Sequence, residues 1–253
     1  SLTNGQISYL ERPMEWNIWR APTDNDRNIR REWERAGYDR TVARVYDSKA
    51  EQTDEGVVIT AELALSAIYL QRILNMKAQW KILPDGRIHL SLHAERSPEF
   101  PFLPRFGLRM FLPRAFDSVE YFGYGPFESY SDKHRASMLG KYESSVADLH
   151  EDYIRPQENG SHCGCLHLAV SNALGGCLEA VGDNFAFNAS PYTQEELASK
   201  AHNYELEPCG STVLCLDYKQ SGVGSNSCGP ALLPQYRLEE TSFDYDVEIR
   251  LSR

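Results

Sequence analysis

The chain has 253 residues, 42% of them hydrophobic and 25% charged, with a formal net charge of −10. These are ordinary globular values, and a chain of this length buries roughly 72% of its unfolded surface on folding. The acidic balance offers no basic stripe for nucleic acid or an anionic membrane, and no apolar run approaches the about 20 residues that cross a bilayer.

The chain opens on SLTNGQISYL, with neither an initiator Met nor a signal-peptide pattern, which fits a piece trimmed from a longer polypeptide. WRAPTDND (19–26) follows. Arg20 either pairs with Asp24 or Asp26 at a helix entry, or the segment docks against another domain. TDNDRNIRREWERAG (23–37) reads as a helix, with Asp or Asn to cap it and Gly37 to end it.

Period-2 alternation then takes over. VVITAELAL (57–65), RILNMKAQWKI (72–82) and RIHLSLHAE (87–95) read as strands, and LPDG (83–86) has the turn chemistry of a hairpin. His89 and His93 share a face opposite the apolar one, which suits solvent or a partner surface rather than a ligand pair.

The middle of the chain changes character. YFGYGPFESYSDK (121–133) and YIRPQENGSHCG (153–164) are rich in aromatics, Gly and Pro, read as loops, and carry Glu128 and Glu158. A glycosidase needs two carboxylates flanking the scissile bond. Spacing does not show that these two converge, and turn chemistry around PQENG favours a structural use. GYGPFE lacks the third glycine of a dinucleotide fingerprint.

HCGCLH (162–167) places Cys163, Cys165 and His167 on one face of a strand. Three such ligands could begin a zinc site, but a strand spaces them poorly for a tetrahedron and no second C-x-x-C is present. All six cysteines lie within 163–228, and they read mostly as reduced, buried, intracellular thiols. NFAFNAS, TVLCLDY and FDYDVEIRL add strands. YTQEELASKA reads as a second helix, with Thr193 as N-cap and Glu196 completing a capping box. The expected fold is therefore antiparallel all-β with two short helices, in one domain over residues 1–253.

In order along the chain, NIWRAPTDND, EYFGYGPFESYSDK, YIRPQENGSHCG and SGVGSNSCGPALLPQY resemble the C-terminal small-chain domain of the bacterial β-galactosidases of glycoside hydrolase family 2. The four motifs span residues 17 to 236. The resemblance implies a large antiparallel supersandwich, similar to galactose mutarotase. It implies hydrolysis of terminal β-D-galactosides such as lactose, with retention, by a Glu pair in a barrel domain that precedes this one. Mg²⁺ and Na⁺ are associated with that barrel.

No catalytic residue, metal site or cofactor is therefore expected in this chain, and alone it should be inactive. The loop matching 222–230 reaches the barrel in relatives and closes one side of the galactoside pocket. Several relatives place a Trp there, and the nearest equivalent here is Cys228. Asn226, Ser227 and Cys228 are the expected substrate contacts, while Gly222, Gly224, Gly229 and Pro230 shape the loop. Arg20, Asp24, Asp26, Glu128, Glu158 and Asn159 are candidates for docking against the barrel. The expected partners are the barrel-containing remainder, in one chain or as a separate large subunit, and a galactoside, with neither nucleic acid nor membrane, in the cytoplasm. The alternatives are a stand-alone carbohydrate-binding module and a mutarotase-like enzyme, which needs a His and a carboxylate on one concave face.

Overall fold

A computed structural model describes residues 2–224 and 228–252. Its strands in chain order begin with β1 (Thr3–Asn4), β2 (Ile7–Ser8) and β3 (Glu15–Asn17), then β4 (Thr41–Thr53), β5 (Gly56–Ala67), β6 (Leu74–Ile82) and β7 (Arg87–Arg96). There follow β8 (Arg105–Pro113), β9 (Phe116–Gly125), β10 (Met138–Ser145), β11 (His162–Asn172), β12 (Cys177–Ser190), β13 (Ser211–Gln220) and β14 (Ser242–Ser252). β1 and β2 form a small hairpin of their own, and the rest join one antiparallel sheet.

The sheet forks at β12. Cys177–Val181 pairs with β14, which leads on through β7, β6 and β5 to β4. Ala186–Ser190 pairs with β13, which leads to β8 and β3. Between the two halves sits Asn184 at φ 62, a residue type that tolerates the left-handed region. The two arms then face each other across aromatic contacts. Phe106 of β8 meets Phe243 of β14 at 5.0 Å, and Trp16 of β3 meets Trp80 of β6 at 6.4 Å. This is the expected supersandwich, with its core between the arms.

Alternation explains most strands. On β7 the inward residues Ile88, Leu90, Leu92 and Ala94 are buried, and the LPDG turn joins β6 to β7 with Gly86 at φ 87. β8 is covered on both faces and carries its apolar residues without alternation. β4 is exposed almost throughout, so no buried face imposed a pattern by which to find it.

The differences from expectation are local. The segment 121–133 begins as strand, since β9 runs through Gly125 before the loop starts. The first helix is split into a 3₁₀ turn, Asp24–Arg27, and α1 (Ile29–Ala36), closed as expected by Gly37 at φ 79. In α2 (Gln194–Ser199) the Thr193 hydroxyl accepts from the Glu196 N–H at 3.1 Å, while the Glu196 carboxylate turns instead to the Glu207 N–H. β11 is bulged around Gly164 at φ 66, which breaks the face that Cys163, Cys165 and His167 were to share. Cys165 is buried and its thiol donates to the His162 carbonyl. Only Cys165 and Cys215 are buried among the six thiols, whereas Cys209 and Cys228 are exposed. No helix among the described residues is long and apolar enough to cross a membrane.

Candidate functional site

Residues 221–224 leave the end of β13, and residues 228–238 lead back to it. The two stretches are tied by backbone: the Gly222 N–H donates to the Tyr236 carbonyl at 2.8 Å. Ser221 anchors the base, with its N–H on the Pro104 carbonyl and its hydroxyl on the Leu103 carbonyl at 2.6 Å. The loop so closed exposes Cys228, Gly229, Pro230 and Leu233, with Leu232 tucked underneath.

Side chains from distant segments grip its root. Arg20 donates to the Gly222 carbonyl at 3.0 Å and to the Ser221 carbonyl at 2.5 Å. The same guanidinium makes a two-pronged pair with Asp26, at 3.1 and 2.7 Å, and lies over the Trp33 ring of α1 at 5.4 Å. Burial works against the Arg20 charge, and the Asp26 carboxylate together with Glu158 and Tyr130 outweighs it. From the far side, Asp132 accepts from the Val223 N–H at 3.0 Å and the Gly224 N–H at 2.8 Å. Asn25 donates to the Val223 carbonyl at 2.6 Å.

The glycines follow from this clamp. A Cβ at Gly222 would lie 2.5 Å from the Asp132 carboxyl carbon, and one at Gly224 would lie 2.9 Å from an Asp132 oxygen. The close approach of the carboxylate, rather than a left-handed backbone, requires them. Gly229 has open space around its missing side chain.

Beneath the root lies a buried ionic network. Arg105 donates to Glu158 at 3.2 Å, to Asn188 at 2.8 Å and to both oxygens of Asp217. Asn188 donates to Glu158 at 2.9 Å and to the Asn159 carbonyl at 2.7 Å. Gln220, the last residue of β13, donates to Asn188 and to Ser161. Burial pushes both Glu158 and Asp217 up, with Arg105 opposing in each case. Such a network is costly to break, since a lone buried charge has no compensation.

The candidate docking residues divide. Arg20, Asp26 and Glu158 are buried within the chain and act on the loop root or its foundation. Glu128 is also buried. It accepts from Lys133, Tyr153 and, at 2.9 Å, the Gly160 N–H, so it fixes the 153–164 segment. Asn159 joins that segment internally, accepting from the Glu151 N–H and donating to the Gln157 carbonyl. The Asp24 side chain is exposed while its N–H donates to Gln157. Asn226 and Ser227 lie outside the described residues.

All four sequence motifs thus meet at one place. A family model described as the β-galactosidase small chain matches residues 1–251. The chain belongs to that family. This small chain is 48% identical over 234 residues to a β-galactosidase of Actinobacillus pleuropneumoniae, covering 92% of itself and 23% of that protein. It is 37% identical to one of Staphylococcus xylosus, covering 92% of itself and 24% of the relative. It therefore spans about a quarter of the length of the curated relatives it matches. Among solved structures, galactose 1-epimerase of Lactobacillus acidophilus NCFM is similar at TM-score 0.43 and 11% identity, over 81% of this chain and 66% of that one.

Sequence reasoning missed Arg105, Asp132, Asn188, Asp217 and Gln220. Two of them carried a signal. Asp217 is an acid inside the apolar run TVLCLDY, and Arg105 opens a strand that is otherwise buried on both faces. A charge in such a run needs a partner.

Proposed function

We propose that this small chain completes the active-site cleft of a β-galactosidase that hydrolyses terminal β-D-galactosides with retention. Its contribution is the loop 222–230, and the observation that carries the reading is the convergence of the other three motifs there, Arg20 and Asp132 on the loop's root and Ser161 on Gln220 just before it. Rigid fixation matters because a cleft wall placed loosely loses the orientation that binding energy supplies. Cys228 stands exposed on the loop, where an indole would offer a flat face to a sugar ring and a thiol does not. Asn226 and Ser227 beside it are the polar contacts in this reading.

The catalytic carboxylates belong to the barrel-containing remainder, in the same polypeptide or a separate subunit. Glu128 and Glu158 are committed to the chain's own ion pairs and amides, and neither is assigned to catalysis. In this reading the Mg²⁺ and Na⁺ that the resemblance associates with the barrel also belong to that remainder. The cytoplasm suits a protein whose cysteines are read as reduced thiols. A stand-alone binding module is less favoured, because the curated relatives are far longer β-galactosidases.

The test is to shorten residues 224–234 to a glycine linker in the assembled enzyme. Loss of kcat/KM with an unchanged melting temperature is the expected result. An unchanged kcat/KM for several galactosides would defeat the reading.

A further inference from the structure

The loop root has an outer face as well as a foundation. On one side, Asp24, Arg27, Arg30, Arg31, Glu34 and Arg155 line a cavity of about 290 Å³. On the other, Phe127, Asp132, Lys133, Arg135 and Tyr153 line one of about 390 Å³. Tyr153, Ile154 and Arg155 are consecutive, so the segment 153–155 bridges the two. Asn25, next to Asp24, and Asp132 grip the root from either side, which sets this face alongside the base of the loop.

Its charge runs against that of the chain, which is −10 overall. Arg30 pairs with Glu34, and Lys133 with Glu128. Arg27, Arg31, Arg135 and Arg155 are exposed, and among the described residues no carboxylate lies within ion-pair distance of any of them. Every lysine of the chain, by contrast, has a carboxylate partner. Arginine is the cation enriched at protein interfaces, where lysine is depleted, because its planar fork takes a carboxylate by two bonds.

Apolar exposure on the same face narrows the partner to a protein. Ile154 is 90% exposed and Phe127 58%. A small anion gives neither side chain any cover, whereas a protein surface covers both. The occupant follows from length. The chain spans about a quarter of its curated relatives, so most of such a protein lies outside it. A second copy is a poor fit, since arginines would meet arginines across a two-fold axis.

We propose that this face docks the chain onto the barrel-containing remainder, against an acidic surface with an apolar recess for Ile154, and so fixes where the loop enters the cleft. The proposal takes its partner from the reading above. The two stand or fall separately, because the loop completes a cleft equally well in a chain docked through another face.

The experiment is arginine modification by phenylglyoxal, read by peptide mass spectrometry on the purified chain and on the complete enzyme. Arg27, Arg31, Arg135 and Arg155 should react in the chain and lose most of that reactivity in the enzyme. Arg114, exposed just past the far end of β8 from Arg105, should react in both. Hydroxyl-radical oxidation of Ile154 should fall in parallel with the four arginines. Arg31→Glu combined with Arg155→Glu brings like charges together and opposes docking. In the complete enzyme, Arg27 of that double variant should regain reactivity to within about threefold of its value in the purified variant chain. The purified variant should melt with its parent, since both exchanged side chains are exposed. Four arginines that stay reactive in the complete enzyme, or lose no more than Arg114 does, would overturn the proposal. A double variant that melts with its parent yet keeps Arg27 protected would overturn it as well. So would protection of the four by inorganic phosphate in the purified chain, which would make the face an anion site, or self-association of the chain that the double variant abolishes. An unchanged kcat/KM after loop shortening would defeat the cleft reading and leave these outcomes as they are.

Discussion

Asp132→Asn isolates the clamp on the loop root. The carboxylate accepts from two consecutive backbone N–H groups, of Val223 and Gly224. An Asn keeps one acceptor oxygen and sets an amide NH₂ against the other N–H. One charge-assisted bond is lost and the remaining one becomes neutral. Bonds to charged groups contribute about 1.5–3 kcal/mol and neutral ones about 0.5–1.5 kcal/mol. Asp132 is only half-buried, so the low end applies, near 2 kcal/mol for opening the root. Native-state hydrogen exchange at the Val223 and Gly224 amides should then quicken about thirtyfold. Global stability should fall by less than about 1 kcal/mol, because the core between the two arms is untouched. Exchange at those amides within about threefold of the parent would refute the clamp. Collapse of the whole fold would refute it too, since the residue would then hold the core rather than the loop.

Three further outcomes follow from the same geometry. Arg20→Met strands the Asp26 charge and two carbonyls, and should cost about 3–5 kcal/mol in denaturant unfolding; a loss below about 1 kcal/mol contradicts the network. His162 lies buried against Tyr121 and Phe187, and burial lowers its pKa to about 4 from 6.5. The unfolded imidazole takes its proton near 6.5 and the folded one only near 4, so this stability is present above 6.5 and lost as pH falls through that window. The stability difference between the parent and His162→Asn should shrink by up to about 3 kcal/mol from pH 7 to pH 4, and a difference constant with pH contradicts the assignment. In the assembled enzyme, Cys228→Trp should lower KM between about twofold and tenfold for at least one galactoside; an unchanged KM across several would mean the loop does not meet the sugar.

The strands were legible where one face is buried and the other wet, as on β7 and β14, because burial writes a period of two into the sequence. β4 escaped notice because neither of its faces is buried. Gly164 shifts the register of β11, and periodicity cannot foresee a bulge. At the site, the pairing of Arg20 with Asp26 was one of two open readings, and their separation of six positions made it a local question. Arg105 and Asp217 are 112 residues apart and meet only because β8 and β13 are neighbours. The glycines at 222 and 224 read as loop residues, but the carboxylate that makes them necessary lies ninety or more positions upstream.

The most direct measurement is turnover of a chromogenic β-galactoside by three samples: the purified chain, the barrel-containing remainder, and the two joined. The account predicts no turnover by the chain alone, impaired kcat/KM for the remainder, and recovery when they are joined. Hydrolysis that scales with the concentration of the purified chain would contradict it.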